Sequence, residues 1–124
     1  MMPRLVQDTD MNDIDSWYRL RNETPIDRRL YPVVGYIVPN TAAGWLTQTD
    51  SGIALIENVI THPHADKVER QCALESILHI LNNYAKQRGY SFLLGFSKVN
   101  KIELYANTIG ALPLGQRVLY GKEL

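Results

Sequence analysis

The segment from Ile53 to Ala111 restricts the fold more than any other part of the chain. It reads as strand, long amphipathic helix, strand, short helix and a Gly-Ala exit, the order of a βαβ unit with a helix packed beside it. IALIENVI (Ile53 to Ile60) is a short, mostly apolar run with β-branched residues, interrupted at Glu57 and Asn58, which predicts a buried strand. After the turn-like THPHA, Asp66 stands as an N-cap to a periodic segment from Lys67 to about Arg88, and Gly89 supplies the stop. Leu74, Ile77, Leu78, Leu81 and Ala85 recur at helical spacing, so one stripe of that helix faces a sheet. YSFLLGFS (Tyr90 to Ser97) is a second buried-strand candidate, and the crossover between the two strands is long enough for parallel pairing. Asn100 to Ile109 reads as a shorter helix capped by Gly110.

Upstream signals are weaker. Arg4 to Gln7 reads as a first strand, and Asp10, with Asp13 three positions on, opens a helix through about Asn22 that buries Ile14, Trp17 and Leu20. Pro25 marks its end, and Asn22 to Tyr31 is a polar loop or a weak second helix. VVGYIV (Val33 to Val38), a Pro39-Asn40 turn, AAGWLTQT (Ala42 to Thr49) and the hairpin signal Asp50-Ser51-Gly52 predict three consecutive antiparallel strands ending in the Ile53 strand. Gly35 and Gly44 mark a bulge or a close backbone approach, and Trp17, Trp45, Tyr31 and Tyr36 line core or groove. Leu112 to Leu124 can form one short hairpin around Gly115-Gln116, and an uncovered edge strand there would favour a homodimer.

A length of 124 residues fits a single domain spanning 1–124. Thirteen basic and thirteen acidic residues cancel, which leaves no overall electrostatic footprint for nucleic acid or an anionic membrane. No apolar run approaches the ~20 residues of a transmembrane helix, and the N-terminus lacks the plan of a signal peptide. The single cysteine, Cys72, excludes an intrachain disulfide framework and fits a reducing cytoplasm.

Thr61-His62-Pro63 after the first strand, Ala85 and Gly89 at the helix end, and Asn100, Tyr105 and Gly110 in SKVNKIELYANTIGA make the chain resemble the GCN5-related N-acetyltransferases (GNAT). Their pattern runs V-x-P, Q/R-x-x-G-x-G/A, a helix ending near A-x-x-x-G, then an Asn and a Tyr. The resemblance implies an α/β (α+β) fold: a mixed, mostly antiparallel central sheet with a parallel βαβ crossover and helices on both faces. It also implies acetyl-CoA as co-substrate, a small-molecule or protein amine as acceptor, and a small divergent member of phage-encoded character. The family's pyrophosphate loop uses glycines, because a residue without a side chain lets backbone N–H groups close on the anion. This chain has no glycine between Gly52 and Gly89. Counting back from the helix end places Glu69, Arg70, Gln71, Cys72, Ala73 and Leu74 over that slot; a shift of one residue places Arg70, Ala73 and Glu75 there. Lys67 and Arg70 can supply side-chain charge where backbone N–H groups are obstructed.

The resemblance gives other residues roles as well. Tyr105 stands where the family places a general acid that returns a proton to the CoA thiolate; it is also one of seven tyrosines and could be a packed aromatic. Glu57 is the one carboxylate within the central strand and is placed to accept the proton of an attacking amine, or it is an outward strand residue paired with a lysine. Asn58 should point to the opposite face. The backbone of Val59, Ile60 and Thr61 offers an edge along which an amide-bearing pantetheine pairs like an added strand. Asn100 can bond the pantetheine arm or cap its helix. His62 and His64 make a weak zinc signal and read as a solvated turn. Cys72 reads as a small buried residue, and Arg28 and Arg29 as solvated charge or a feature suited to an acidic acceptor. Two functions follow: an acyl-CoA-dependent N-acyltransferase, or a protein of the same fold that has lost acyl transfer and binds a partner. A third is an α/β domain with an unrelated ligand.

Overall fold

The structure is a computed structural model that describes residues 2–95 together with 109–110, 114, 121–122 and 124. The elements are β1 (Arg4–Leu5), α1 (Met11–Leu20), β2 (Val34–Val38), β3 (Ala42–Gln48), β4 (Ile53–Thr61), α2 (Lys67–Gln87) and β5 (Phe92–Gly95), with 3-10 turns at Asp8–Asp10 and Arg28–Leu30. The five strands form one sheet in chain order. Its first three junctions are antiparallel and β4 pairs with β5 in parallel through α2. The mixed sheet with one βαβ crossover is therefore present as the sequence implies.

Among the described residues, each face of the sheet carries one helix. Alternation along the strands sends Val34, Val38, Ala42, Leu46 and Ala54 to one side, where Ala73, Leu74, Ile77, Leu81 and Ala85 of α2 cover them. Ile37, Ala43, Trp45 and Ile60 go to the other side, under Met11, Ile14, Trp17 and Tyr18 of α1. Ile14, Trp17, Ile77 and Leu81 are almost wholly buried, each worth about 1.5–3 kcal/mol or more of apolar burial. The α2 stripe read from the sequence is the buried stripe. Asp66 caps this helix, its carboxylate accepting from the Val68 and Glu69 N–H groups at 3.0 and 3.2 Å.

The α1 side differs from its sequence reading in two places. Asp10 does not cap α1. It lies in the preceding 3-10 turn, and its carboxylate accepts from the Gln7 N–H at 2.7 Å and from both Arg4 terminal nitrogens at 2.8 Å. The acid therefore ties β1 to the start of α1. Leu20 is half exposed, because at 3.6 residues per turn the stripe through Met11, Ile14 and Tyr18 continues to Arg21 instead.

Gly35 is a close approach. It pairs with Trp45 across the β2–β3 ladder, and a Cβ there would fall 2.2 Å from the indole Nε1. Tyr31 packs against the same indole with ring centroids 4.6 Å apart, so the ring cannot swing aside. Gly44 is less tight, its would-be Cβ 3.2 Å from Ile77.

Two stability measurements check these contacts. Gly35→Ala should destabilise the protein by about 1–3 kcal/mol through overpacking, read as a lower urea midpoint; an unchanged midpoint would show that Trp45 moves freely. Arg4, followed by the Gln7 N–H, holds the Asp10 carboxyl below its usual range against the opposing effect of burial. A depressed folded-state pKa gives stability that is complete above the unfolded value, about 4, and is lost as pH falls through the folded one. Asp10→Asn should therefore lower stability at neutral pH and flatten its acid dependence below pH about 4; parallel acid curves for the two proteins would contradict this.

Candidate functional site

The site is built around the C-terminal half of β4. Ala43 pairs with Ile60 but Trp45 pairs with Glu57, so β4 holds one residue more than β3 across this step. Asn58 supplies the extra residue, with a left-handed φ of 56°, a conformation that Asn tolerates better than other non-glycine residues. The bulge reverses the alternation. Ala54 and Ile56 pack toward α2 before it, whereas Val59 packs toward α2 and Ile60 toward α1 after it. The expected simple alternation of Glu57 and Asn58 is thus replaced by a bulge, which also bends the strand.

The described β4–β5 pairing runs from Ile53↔Phe92 to Ile56↔Gly95, and the bulge begins immediately beyond it. Past the bulge, the His62 N–H donates to the Thr41 carbonyl at 2.8 Å. That makes Ala42 and Thr61 a non-hydrogen-bonded antiparallel pair, so the Thr61 N–H and C=O turn away from β3 toward the β5 side. Ile60 and Ala43 form the next pair inward, and Ile60 directs its backbone groups at β3. Of the three residues expected to offer a strand edge, Thr61 therefore faces outward and Ile60 does not. Val59 precedes Ile60 and brings its side chain onto the α2 side.

Arg21, at the C-cap of α1, reaches this edge. Its guanidinium donates to the Thr61 carbonyl, and to Thr61 Oγ1 at 2.6 Å. Burial is the first cause that pushes its pKa down, with the charge of Arg70 acting in the same direction and Glu23 opposing. Arg70 lies in the first turns of α2, on the other face of the sheet, and its buried Nε has no partner among the described residues. The two arginines thus stand on helices that cover opposite faces of the sheet, and Arg21 alone is bonded to the end of β4 among the described residues. Sequence reasoning identified Arg70 and missed Arg21, whose only signal is its place on the buried stripe of α1.

The slot that would hold a glycine loop is helix. α2 starts at Lys67, so residues 69–74 lie in its first two turns, and the Arg70 N–H already donates to the Asp66 carbonyl at 2.9 Å. Asp66 takes the N–H groups of Val68 and Glu69. The N–H groups of Val68, Glu69 and Arg70 are therefore already taken at this helix start, and side chains are the main source of charge. Lys67, Gln71 and Cys72 are exposed and Ala73 is fully buried in the α2 core. The exposure of Cys72 corrects its reading as a buried residue: Ala73, four before Ile77, lies on the inward stripe, and Cys72 does not.

Glu57 is partly exposed and sits opposite Trp45, whose ring packs on the α1 side. The His62 Nδ1 accepts from the His64 N–H at 3.0 Å, a local turn contact, and among the described residues no group of three His, Cys, Asp or Glu side chains could hold a metal. Arg28 is committed to Asp15 at 2.9 Å and Arg29 to Asp27 at 2.7 Å. Asn100 and Tyr105 lie outside the described residues. Among the described residues no helix is long and apolar enough to cross a membrane.

The sequence matches no family model and no curated protein. Solved structures do match. An acetyltransferase from Trypanosoma brucei aligns over 97% of this chain and 98% of its own, at 13% identity and a TM-score of 0.66. A GNAT family acetyltransferase from Streptococcus pneumoniae covers 98% of both chains at 11% identity and 0.65. An aminoglycoside 6'-N-acetyltransferase from Acinetobacter haemolyticus covers 100% and 99% at 13% and 0.60. These likenesses run along nearly the whole chain, and the protein has the fold of the GCN5-related N-acetyltransferases.

Proposed function

We propose that the chain is an acyl-CoA-dependent N-acyltransferase that moves an acetyl group from acetyl-CoA to an amine. The observation that carries this reading is the bulged half of β4, which turns the Thr61 backbone away from β3. An amide-bearing pantetheine arm suits such an edge, since it pairs as a strand would. The neutral amine attacks the thioester carbonyl carbon; a C–N bond forms and the C–S bond breaks. Glu57, close to the bulge, accepts the proton lost by the amine, and Tyr105 gives a proton to the departing sulfur. Asn100 bonds the pantetheine arm, and Lys67 with Arg70 supplies charge to the pyrophosphate in place of a glycine loop. The acceptor is a small-molecule or protein amine.

One observation favours a second reading. With Asp66 occupying the N–H groups of Val68 and Glu69 and residues 69–74 helical, the start of α2 holds no glycine-loop cradle. That arrangement suits a protein that keeps the fold as a binding module, for example a phage protein engaging a host partner.

Calorimetric titration with acetyl-CoA, with CoA as control, separates the two. The transferase reading expects micromolar binding; no heat at high ligand concentration would leave the binding module. In an active preparation, Glu57→Gln and Tyr105→Phe should each lower kcat by roughly 100-fold, at the low end of general acid–base contributions, with acetyl-CoA affinity little changed. A variant that turns over at the normal rate would remove that residue from the mechanism.

A further inference from the structure

We infer that the acceptor is a small arylalkylamine with a single amino group, seated in the cleft where the chain turns into β2 beside the end of β3, with its nitrogen at Glu57. This deepens the acyltransferase reading and rests on it for the reaction, whereas occupancy of the cleft is measurable without turnover. The cleft encloses about 250 Å3 and is lined by Tyr31, Pro32, Val33, Leu46, Thr47 and Gln48. None of these carries a formal charge. Burial first, then the charge of Asp15, pushes the Tyr31 phenol above its usual range, so it too is neutral at physiological pH. The volume lies below the roughly 300–1,000 Å3 of sites for drug-sized ligands, which restricts the occupant to a small body. The rings of Tyr31 and Pro32 and the exposed Val33 side chain present apolar surface, which matches a flat apolar group.

Strand register connects this cleft to Glu57. Trp45 faces α1, and Thr47, two residues on, shares that face. Thr47 pairs with Leu55 and Trp45 with Glu57, so Thr47 and Glu57 are diagonal neighbours on one face of the ladder. Their backbones are about 7–8 Å apart, a gap that a short alkyl chain spans. The Trp45 indole would close that gap if it leaned toward β4. It lies over Gly35 of β2 instead, where a Cβ would fall 2.2 Å from its Nε1, and Tyr31 packs against it there. Charge then sets the number of amino groups. Glu57 is the one carboxylate in the described strands. The acids before the cleft are spent, Asp15 on Arg28 at 2.9 Å and Asp27 on Arg29 at 2.7 Å, and Asp50 stands outside the lining, exposed in the turn after β3. One carboxylate matches one amine, and the further ammonium groups of a polycation would meet a neutral wall at the cost of their hydration. At Glu57 the neutral nitrogen forms the amide C–N bond as the thioester C–S bond breaks. Its proton passes to Glu57, and the sulfur leaves as a thiol with a proton from Tyr105.

The test titrates the full chain with phenethylamine and with spermidine, reading amide NMR shifts, and measures thiol release from acetyl-CoA with each amine. Phenethylamine should move the Val33, Thr47 and Glu57 amide signals and release thiol; spermidine should do neither. Thr47→Phe, which fills the cleft, should raise the KM for phenethylamine about tenfold or more and abolish the shift at Val33, with acetyl-CoA affinity unchanged. If that variant fails to fold, Val33→Asp at an exposed position carries the comparison, since a carboxylate in the cleft should move the preference several-fold toward spermidine. Shifts at the cleft without thiol release would support the cleft as the seat of the amine while removing the acyltransferase reading. Thiol release with spermidine and none with phenethylamine would overturn the inference and leave the acyltransferase reading standing. Phenethylamine that moves none of the three amide signals, or an unchanged KM in the Thr47→Phe variant, would also overturn it.

Discussion

The bulge at Asn58 is the constraint on which the arrangement of this protein depends. A regular β4 would keep one side-chain phase from Ile53 to Thr61. Instead, one left-handed residue reverses the phase, so that Ile56 and Val59 both reach the α2 core while Ile60 can still seal the α1 core. The same residue fixes which part of the β4 backbone is spent on β3 and which is turned outward. Helix packing and the outward turn of the Thr61 backbone are therefore two consequences of a single extra residue. The cost of holding Asn in that conformation is of order 1–3 kcal/mol, and it is sustained by the ladder to β3 on both sides of the bulge.

The start of α2 is the second determinant. Extending a helix backward to Lys67 stabilises the crossover with an Asp66 cap, but it commits the N–H groups that a phosphate loop would leave free. The electrostatic work at this corner then falls to cations on side chains, which are longer, more adaptable and more sensitive to salt than backbone donors. The position of Arg21 shows how this is compatible with a stable core. Its guanidinium ends the buried stripe of α1 and satisfies Thr61.

Local chemistry made much of the fold legible. Asp66, the stripe from Leu74 to Ala85 and Gly89 state the length and orientation of α2 without reference to anything else, and the Asp50-Ser51-Gly52 turn sets β3 and β4 side by side. The site was less legible, for tertiary reasons. Asn58 interrupts an apolar strand, which signals irregularity, yet whether it bulges depends on the β3 register. Arg21 meets Thr61 across forty residues of sequence, a contact that no local pattern encodes. Asp10 illustrates a smaller failure: an acid at a helix start is read as a cap, but Arg4 and the Gln7 N–H compete for its oxygens and hold them.

The most direct test of the account is residue-resolved amide hydrogen exchange of the protein with and without CoA. A ligand that adds to the bulged edge of β4 should slow exchange at the Thr61 N–H, the outward donor, while leaving the Ile60 N–H, directed at β3, nearly unchanged. CoA binding with protection confined to other parts of the chain, and none at Thr61, would contradict the claim that this edge is the site.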